Sequence, residues 1–296
     1  MSRFQVFTDE QWLLLEAILP SSDGLRGRPF RDHRQVIEGI VYRARTGCPW
    51  RDLPAEFGPW QTVWKRHRRY SGDGTYDKIL AALAADADAR EVLEWTVSVD
   101  STVARAHQHA TPSHATQGDL SNYTNRGDEP ADHALGRSRG GMTCKVHALV
   151  DGRGLPLVVL CGPGQGGDSP MLEPLLDQLK VARRGRGRPR TRPDAILADK
   201  AYCGRAHREN LRRRGIRAII PQRDDQIANR KNKGSDGGRP ISLDKEAYKG
   251  RNVVERFFNR IKQWRAVATR YDKLALTYRG TVLLAGIRLW TQTLTQ

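Results

Sequence analysis

Acid is in short supply in this chain. Its 33 Asp and Glu stand against 50 Lys and Arg, a net charge of +17 over 296 residues. A field of that sign attracts polyanions and makes such binding salt-sensitive. Cysteine is scarcer still: Cys48, Cys144, Cys161 and Cys203 are scattered, without paired spacing. That argues against a disulfide framework and a Cys-rich zinc module, and predicts the reduced thiols of a cytoplasmic protein. No apolar run is long enough to cross a bilayer and no signal-like segment opens the chain, so no membrane partner is expected. No repeat of solenoid size is present. His107, His109 and His114 lie close together, but no Cys or carboxylate at ligand spacing supports them, so they read as loop residues. The 38% of hydrophobic residues suffices for a real core, and the length admits two domains.

Up to about residue 92 the pattern is helical. Thr8 is placed to cap a helix with apolar positions Trp12, Leu13, Leu15, Ile18 and Leu19. Arg34 to Thr46, Thr62 to Tyr70 and Tyr76 to Ala87 are further predicted helices, with Pro54 to Gln61 as a connector. Trp50, Trp60 and Trp64 interleave with basic residues, yet at helical spacing Trp60 and Trp64 read as core. From Glu94 the pattern changes. Glu94 to Asp100 alternates like a half-buried strand that ends at Asp100. Met142 to Val150 and Leu155 to Cys161 are strands joined by the tight turn Asp151-Gly152-Arg153-Gly154. Ser138 to Gly141 is either an anion-binding turn of backbone N–H groups or the entry to the second strand. Then come a helix (Pro170 to Lys180), a buried strand (Asp194 to Asp199), a helix (Ala206 to Arg214) and a strand (Ile216 to Ile220). Asp168-Ser169-Pro170 reads as a helix start with Pro at the first turn, so Asp168 is not read as a reacting residue.

The densest chemistry is Tyr248-Lys249-Gly250-Arg251-Asn252-Val253-Val254-Glu255, followed by Lys262. At about 100° per residue, one helix places Tyr248, Arg251, Glu255 and Lys262 within an arc of roughly 60°. Val253, Val254, Phe257, Phe258, Ile261 and Trp264 fill the buried stripe. Taken alone, that polar arc also suits a solvated salt-bridge face. The upstream aspartates add to it. If the first and fourth strands are parallel neighbours, Asp100 and Asp199 converge at their ends and Glu255 closes the site from the covering helix. Three carboxylates at one point repel unless a cation lies between them. Oxygen ligands select Mg2+, with Mn2+ as substitute. Two such ions about 4 Å apart suit phosphoryl transfer.

Several blocks occur in a distinctive order: Asp100-Ser101-Thr102-Val103 with Arg105-Ala106-His107, Gly136 to Gly141, Leu197-Ala198-Asp199-Lys200-Ala201-Tyr202, and Asn252 to Lys262 with Arg256 inside it. Arg45-Thr46-Gly47-Cys48-Pro49-Trp50-Arg51-Asp52-Leu53-Pro54 precedes them, and Thr269-Arg270-Tyr271-Asp272-Lys273 follows. With these blocks the chain resembles the bacterial insertion-sequence transposases of the DDE class, in the large group numbered five. The resemblance covers nearly the whole chain. It implies an α/β catalytic domain, a ribonuclease H-like mixed sheet flanked by helices, over 93–296; within it 222–247, whose stretch from Asp224 to Asp244 is rich in Gly, Asn, Lys and Asp, reads from composition as a mobile insertion. An all-helical DNA-binding domain over 1–92 would precede it and read terminal inverted repeats. Asp100, Asp199 and Glu255 would be catalytic and hold the metal. Tyr248, Arg251, Lys262 and Arg256 would contact DNA. The partners implied are double-stranded DNA, both element ends and target, and a second copy in a dimer on DNA, with no small-molecule substrate. The place implied is the bacterial nucleoid.

Arg183 to Arg192 carries six arginines and no acid. Within it, Arg186-Gly187-Arg188-Pro189 repeats the tetrapeptide Arg26-Gly27-Arg28-Pro29. Such a segment either lays Arg186 and Arg188 into an A/T-rich minor groove or serves as a flexible basic linker. Two other readings stand beside the transposase resemblance: a ribonuclease H-like nuclease that cuts without joining, which shares the acidic triad, and a DNA-binding regulator that has lost catalysis, against which the intact Asp100, Asp199 and Glu255 speak.

Overall fold

The computed structural model describes residues 5–22, 29–111 and 129–296. Its first part is helical. Thr8 caps α1 (Asp9–Glu16) reciprocally: its hydroxyl accepts from the Gln11 N–H at 3.2 Å while the Gln11 side chain accepts from the Thr8 N–H. α2 (His33–Thr46) stops at Gly47, whose φ of 72° suits a residue without a β-carbon. α3 (Trp60–Gly72) and α4 (Thr75–Ala89) follow. Trp60 packs on the core as expected. Trp64 is half-buried, with the Arg68 guanidinium 5.6 Å from its ring.

The sheet then begins with β1 (Thr96–Ala106), β2 (Gly136–Ser138), β3 (Gly141–Val150) and β4 (Pro156–Pro163). Ser138 pairs with Gly141 at the tip of the β2–β3 hairpin, so this stretch is the entry to a strand. Asp151 makes the next turn, accepting from the Arg153 and Leu155 N–H groups at 3.0 and 2.7 Å. α5 (Leu172–Gln178), β5 (Ala195–Leu197), α6 (Arg205–Arg213), β6 (Arg217–Ile219), α7 (Asp224–Asn232) and α8 (Lys245–Lys249) lead to α9 (Asn252–Lys262). α10 (Arg265–Ala268), β7 (Thr269–Arg270) and α11 (Ala275–Leu294) complete the order.

β1 runs antiparallel to β3 and parallel to β5; β3 is antiparallel to β4, and β5 is parallel to β6. The spatial order β4-β3-β1-β5-β6 is the mixed, ribonuclease H-like sheet expected. β1 also corrects an expectation. It does not end at Asp100 but runs on to Ala106, because β3 keeps pairing with it through Arg105↔Thr143.

The final helix, α11, joins the two parts. Trp290 is fully buried and donates its indole N–H to the Pro156 carbonyl at 2.8 Å. Gly280 lies so close to Ser71 of α3 that a β-carbon there would come within 2.1 Å of its hydroxyl. One hydrophobic core therefore runs from Phe7 and Trp12 through the sheet to Leu294. Among the described residues no helix is long and apolar enough to cross a membrane, and all four cysteines are free thiols.

Candidate active site

The pairing register positions two of the carboxylates. Ser98 of β1 lies opposite Leu197 of β5. Two residues further along both chains stand Asp100 and Asp199, level at the carboxyl end of the parallel pair. β5 stops at Leu197 because Asp199 turns the chain: its Oδ1 accepts from the Ala201 N–H at 2.8 Å and starts the short turn Lys200–Tyr202. On that side β1 has no strand partner until β7 pairs at Arg105↔Thr269. The open stretch of β1 edge is a topological switch point, where α/β sheets place ligands. α9 lies against it. The Lys262 ammonium donates to the Val103 carbonyl at 2.9 Å, which satisfies an acceptor on the otherwise unpaired edge.

Arg251 ties two carboxylates together. One guanidinium nitrogen donates to Asp100 at 2.6 Å and another to Glu255 at 2.5 Å. Burial pushes the Asp100 carboxyl above the usual range. The Ser101 N–H and Arg251 pull it back, and the Asp199 charge adds to the rise. Burial works against the Arg251 charge, but Asp100, Tyr248 and Glu255 outweigh it and raise its pKa. Burial also lowers the Lys262 ammonium.

One element differs from expectation. Tyr248 is not on the same helix as Glu255, because the helix is broken at Gly250, a weak helix former. There the backbone tightens: Gly250 and Arg251 donate to Ala247 and Tyr248, each at 3.0 Å and three residues back. Tyr248 sits on α8 and packs with Leu243 and Ala247 on a small cluster of Ala195, Leu197 and Ile219. Arg256 is exposed and has no ion pair among the described residues.

A second polar cluster borders the first. The Asp168 carboxylate accepts from the Ser101 hydroxyl at 2.6 Å and from Lys145 at 2.9 Å, with His147 Nδ1 3.9 Å away. Asp168 stands at the helix start as expected, with Pro170 in the first turn, but its side chain makes no cap bond there. Ser101 and Lys145 hold the carboxyl below the usual range even though burial raises it. His147 is buried and pushed down to about 4, by burial first. The Tyr202 ring is wholly buried and its hydroxyl has no hydrogen-bond partner. Burial raises its pKa, and Asp168, Asp100 and Asp199 each add to the rise. Tyr202 therefore lies within reach of all three aspartate charges. The bond from Ser101, the residue after Asp100, linked Asp168 to the site only once β1 and the loop after β4 were seen together.

The other expected residues lie elsewhere. Arg186 and Arg188 are exposed on a loop closed by the Val181↔Arg190 bridge, with Gly185 and Gly187 at positive φ. The loop leads into the start of β5, and Arg184 pairs with Asp86 of α4. This is the opposite end of the parallel strands from Asp199. The His107 ring stacks on His109 and Tyr271, at 4.8 and 5.0 Å. His114 and Arg26 to Arg28 lie outside the described residues.

Among the described residues no three His, Cys, Asp or Glu side chains are drawn together as a metal site. The donor set nevertheless fits a hard divalent cation, since Asp100, Asp199 and Glu255 offer only carboxylate oxygens. Positive charge is already needed between two of them, and the Arg251 guanidinium supplies it.

Residues 93–290 match the family described as "Transposase DDE domain", and residues 7–80 match "Putative transposase of IS4/5 family". A putative transposase for insertion sequence element IS6501 of Brucella ovis is 34% identical over 149 residues, 50% of this chain and 98% of that protein. A putative transposase for IS402 of Burkholderia cepacia is 32% identical over 149 residues, 50% of this chain and 60% of its own length. A solved Mos1 transposase paired-end complex aligns over 84% of this chain and 82% of its own, at 14% identity and a TM-score of 0.24. That likeness is too slight to add to the strand order described above.

Proposed function

The chain belongs to the transposase DDE-domain family, and from that premise we propose that it moves a DNA element by cutting and joining. It acts on nucleic acid by phosphoryl transfer. In the proposed reaction, water cleaves the phosphodiester at each element end and frees a 3′-hydroxyl. That hydroxyl then attacks a phosphodiester of target DNA, with the target's own 3′-oxygen as leaving group. Residues 1–92 would read the terminal repeats, and the reaction would need a dimer to hold two ends.

The observation that carries this reading is the parallel β1–β5 register, which levels Asp100 with Asp199 while Arg251 links Asp100 to Glu255. Asp100, Asp199 and Glu255 would hold two divalent ions, Mg2+ with Mn2+ as substitute. When bound, such ions supply Lewis-acid stabilisation of the phosphoryl charge and an activated oxygen nucleophile. Arg251 and Lys262 border the carboxylates on one helix and would hold the phosphates flanking the cut. Tyr248, behind them, would keep that strand in register. Arg186 and Arg188 would grip DNA away from the reacting phosphate.

The test uses a labelled element-end duplex and a plasmid target in Mg2+. Wild type should yield cleaved ends and joined products. Asp100→Asn and Glu255→Gln should each lose both by about a thousandfold or more while still binding the duplex. Cleavage without joining would leave only a nuclease. Normal cleavage by Glu255→Gln would remove the site assignment.

A further inference from the structure

The active-site helix has a second basic border, on the side away from the carboxylates. Glu255, Arg251 and Lys262 lie at one edge of the solvent-facing arc of α9. Arg260, about 140° round from Glu255 at 100° per residue, lies at the other. There it meets α2 and α11 across a cavity of about 530 Å³, lined by Arg45, Arg260, Arg288, Gln263, Trp264 and Gln292 among others. Arg45 and Arg260 are exposed, and neither has an ion pair or side-chain hydrogen bond among the described residues. Arg288 is half-buried, and its Nη1 is buried without a hydrogen-bond partner.

Glu38 is the carboxylate that attracts Arg288. Its two oxygens are already taken by the Val6 and Phe7 N–H groups, at 2.8 and 2.9 Å. Arg45 and Arg288 are also close enough for the charge of the first to disfavour that of the second. Three arginines thus line one cavity whose lining, among the described residues, holds no carboxylate, and the Glu38 that attracts Arg288 is already hydrogen-bonded. Positive groups held together in a partly dry cleft call for a bound anion. Guanidinium forks match tetrahedral phosphate oxygens. The Gln263 and Gln292 amides can donate to the same group, and the Trp264 ring offers a flat wall.

We propose that this cavity, between the N-terminal helices, the end of the catalytic helix and α11, is a phosphate site that seats a backbone phosphate of bound DNA. The inference rests on the DNA-processing reading above and extends it. It places a second grip on the nucleic acid about one helix diameter, ~10 Å, across α9 from the carboxylates. A strand crossing the exposed face of α9 would meet Lys262 and Arg251 at one border and Arg260 at the other, with exposed Arg256 between. Duplex DNA is favoured over a free phosphate because two of the arginines stand in open solvent, where a lone anion is weakly held and a polyanion is held through many contacts.

The experiment measures binding of a fluorescent duplex by anisotropy over a range of KCl, for wild type and for Arg45→Ala/Arg260→Ala. Both positions are exposed, so the thermal midpoint should not change. The double variant should bind about tenfold more weakly near 0.15 M salt, and its slope of log K against log[salt] should be shallower by one to two. Inorganic phosphate, titrated by calorimetry, gives the second arm. Wild-type affinity and slope in the folded double variant would overturn the inference and leave the DNA-processing reading intact. Loss of inorganic phosphate binding with duplex binding unchanged would also overturn it, assigning the cavity to a free anion. A wild-type protein without affinity for duplex would overturn both. Arg260→Gln alone, at about half the effect, repeats the test should the double variant fold poorly.

Discussion

Asp100 and Asp168 are tied together by a single residue and live in opposite circumstances. Asp100 keeps Arg251 and the Ser101 N–H as partners, and burial still raises its carboxyl. Asp168 takes the Ser101 hydroxyl and Lys145, and its carboxyl falls. Asp168 is a satisfied anchor that fixes the loop after β4 against β1. Asp100 shares the Arg251 guanidinium with Glu255 at an open sheet edge, and its carboxyl stays raised. Neighbouring carboxylates can thus divide stability and chemistry between them.

Mutation offers the largest effect that would break this contrast. Asp168→Asn should cost about 2–3 kcal/mol in urea unfolding, because it leaves the mostly buried Lys145 ammonium without its counter-charge. Asp100→Asn should change stability by less than about 1 kcal/mol, because the charge it removes is one that burial disfavours. Activity should follow the reverse order. If Asp100→Asn proved the more destabilising, the division of labour would be wrong.

The same contrast has a pH signature. His147, ordinarily near 6.5, is held at about 4 in the folded chain. A lowered histidine contributes stability that is present above its ordinary value and lost as pH falls through the folded one. Asp168, also lowered, adds to the loss in acid. His147 alone should cost the fold about 3 kcal/mol between pH 6.5 and 4, and Asp168 should add its share only below the ordinary carboxylate range. Asp100 has the opposite sign: its raised carboxyl favours the fold below the ordinary carboxylate range, and that contribution disappears as pH rises through the raised value. Denaturation of the variants at pH 4 and 7 should show this. Asp100→Asn should steepen the acid loss, and Asp168→Asn, which removes the charge that raises the His147 imidazole, should not relieve it.

Much of this was legible before any coordinates. β1, β3, β4, β5 and β6 announced themselves as short apolar runs bounded by turns, and their order required Asp100 and Asp199 to meet if the first and fourth long strands were parallel. What stayed hidden had physical causes. α11 is buried almost all round, so it carries no polar stripe for periodicity to find. The break at Gly250 keeps right-handed backbone angles throughout, so only its shortened hydrogen bonds separate α8 from α9. The Asp168 cluster draws Lys145 and His147 from β3 and Ser101 from β1, and nothing local to Asp168 hints at them. Asp151 looked like a turn residue and is one, yet burial pushes its carboxyl up to about 6, which spacing could not show.

Tyr202 offers the smallest and most discriminating test. Its hydroxyl is buried, has no hydrogen-bond partner among the described residues, and lies within reach of the Asp168, Asp100 and Asp199 charges. An unsatisfied buried hydroxyl costs about 1–3 kcal/mol relative to a satisfied one. Tyr202→Phe keeps the ring that packs under the Asp199 turn and removes only that oxygen. If the hydroxyl is idle, the variant should be more stable by up to about 1 kcal/mol and react as wild type does. If instead the oxygen steadies Asp100 or Asp199 during reaction, the stability gain should come with a slower turnover and little change in duplex affinity. A variant that is less stable than wild type would show that the hydroxyl has a partner after all, and the contrast between a lowered Asp168 and a raised Asp100 would need redrawing around it.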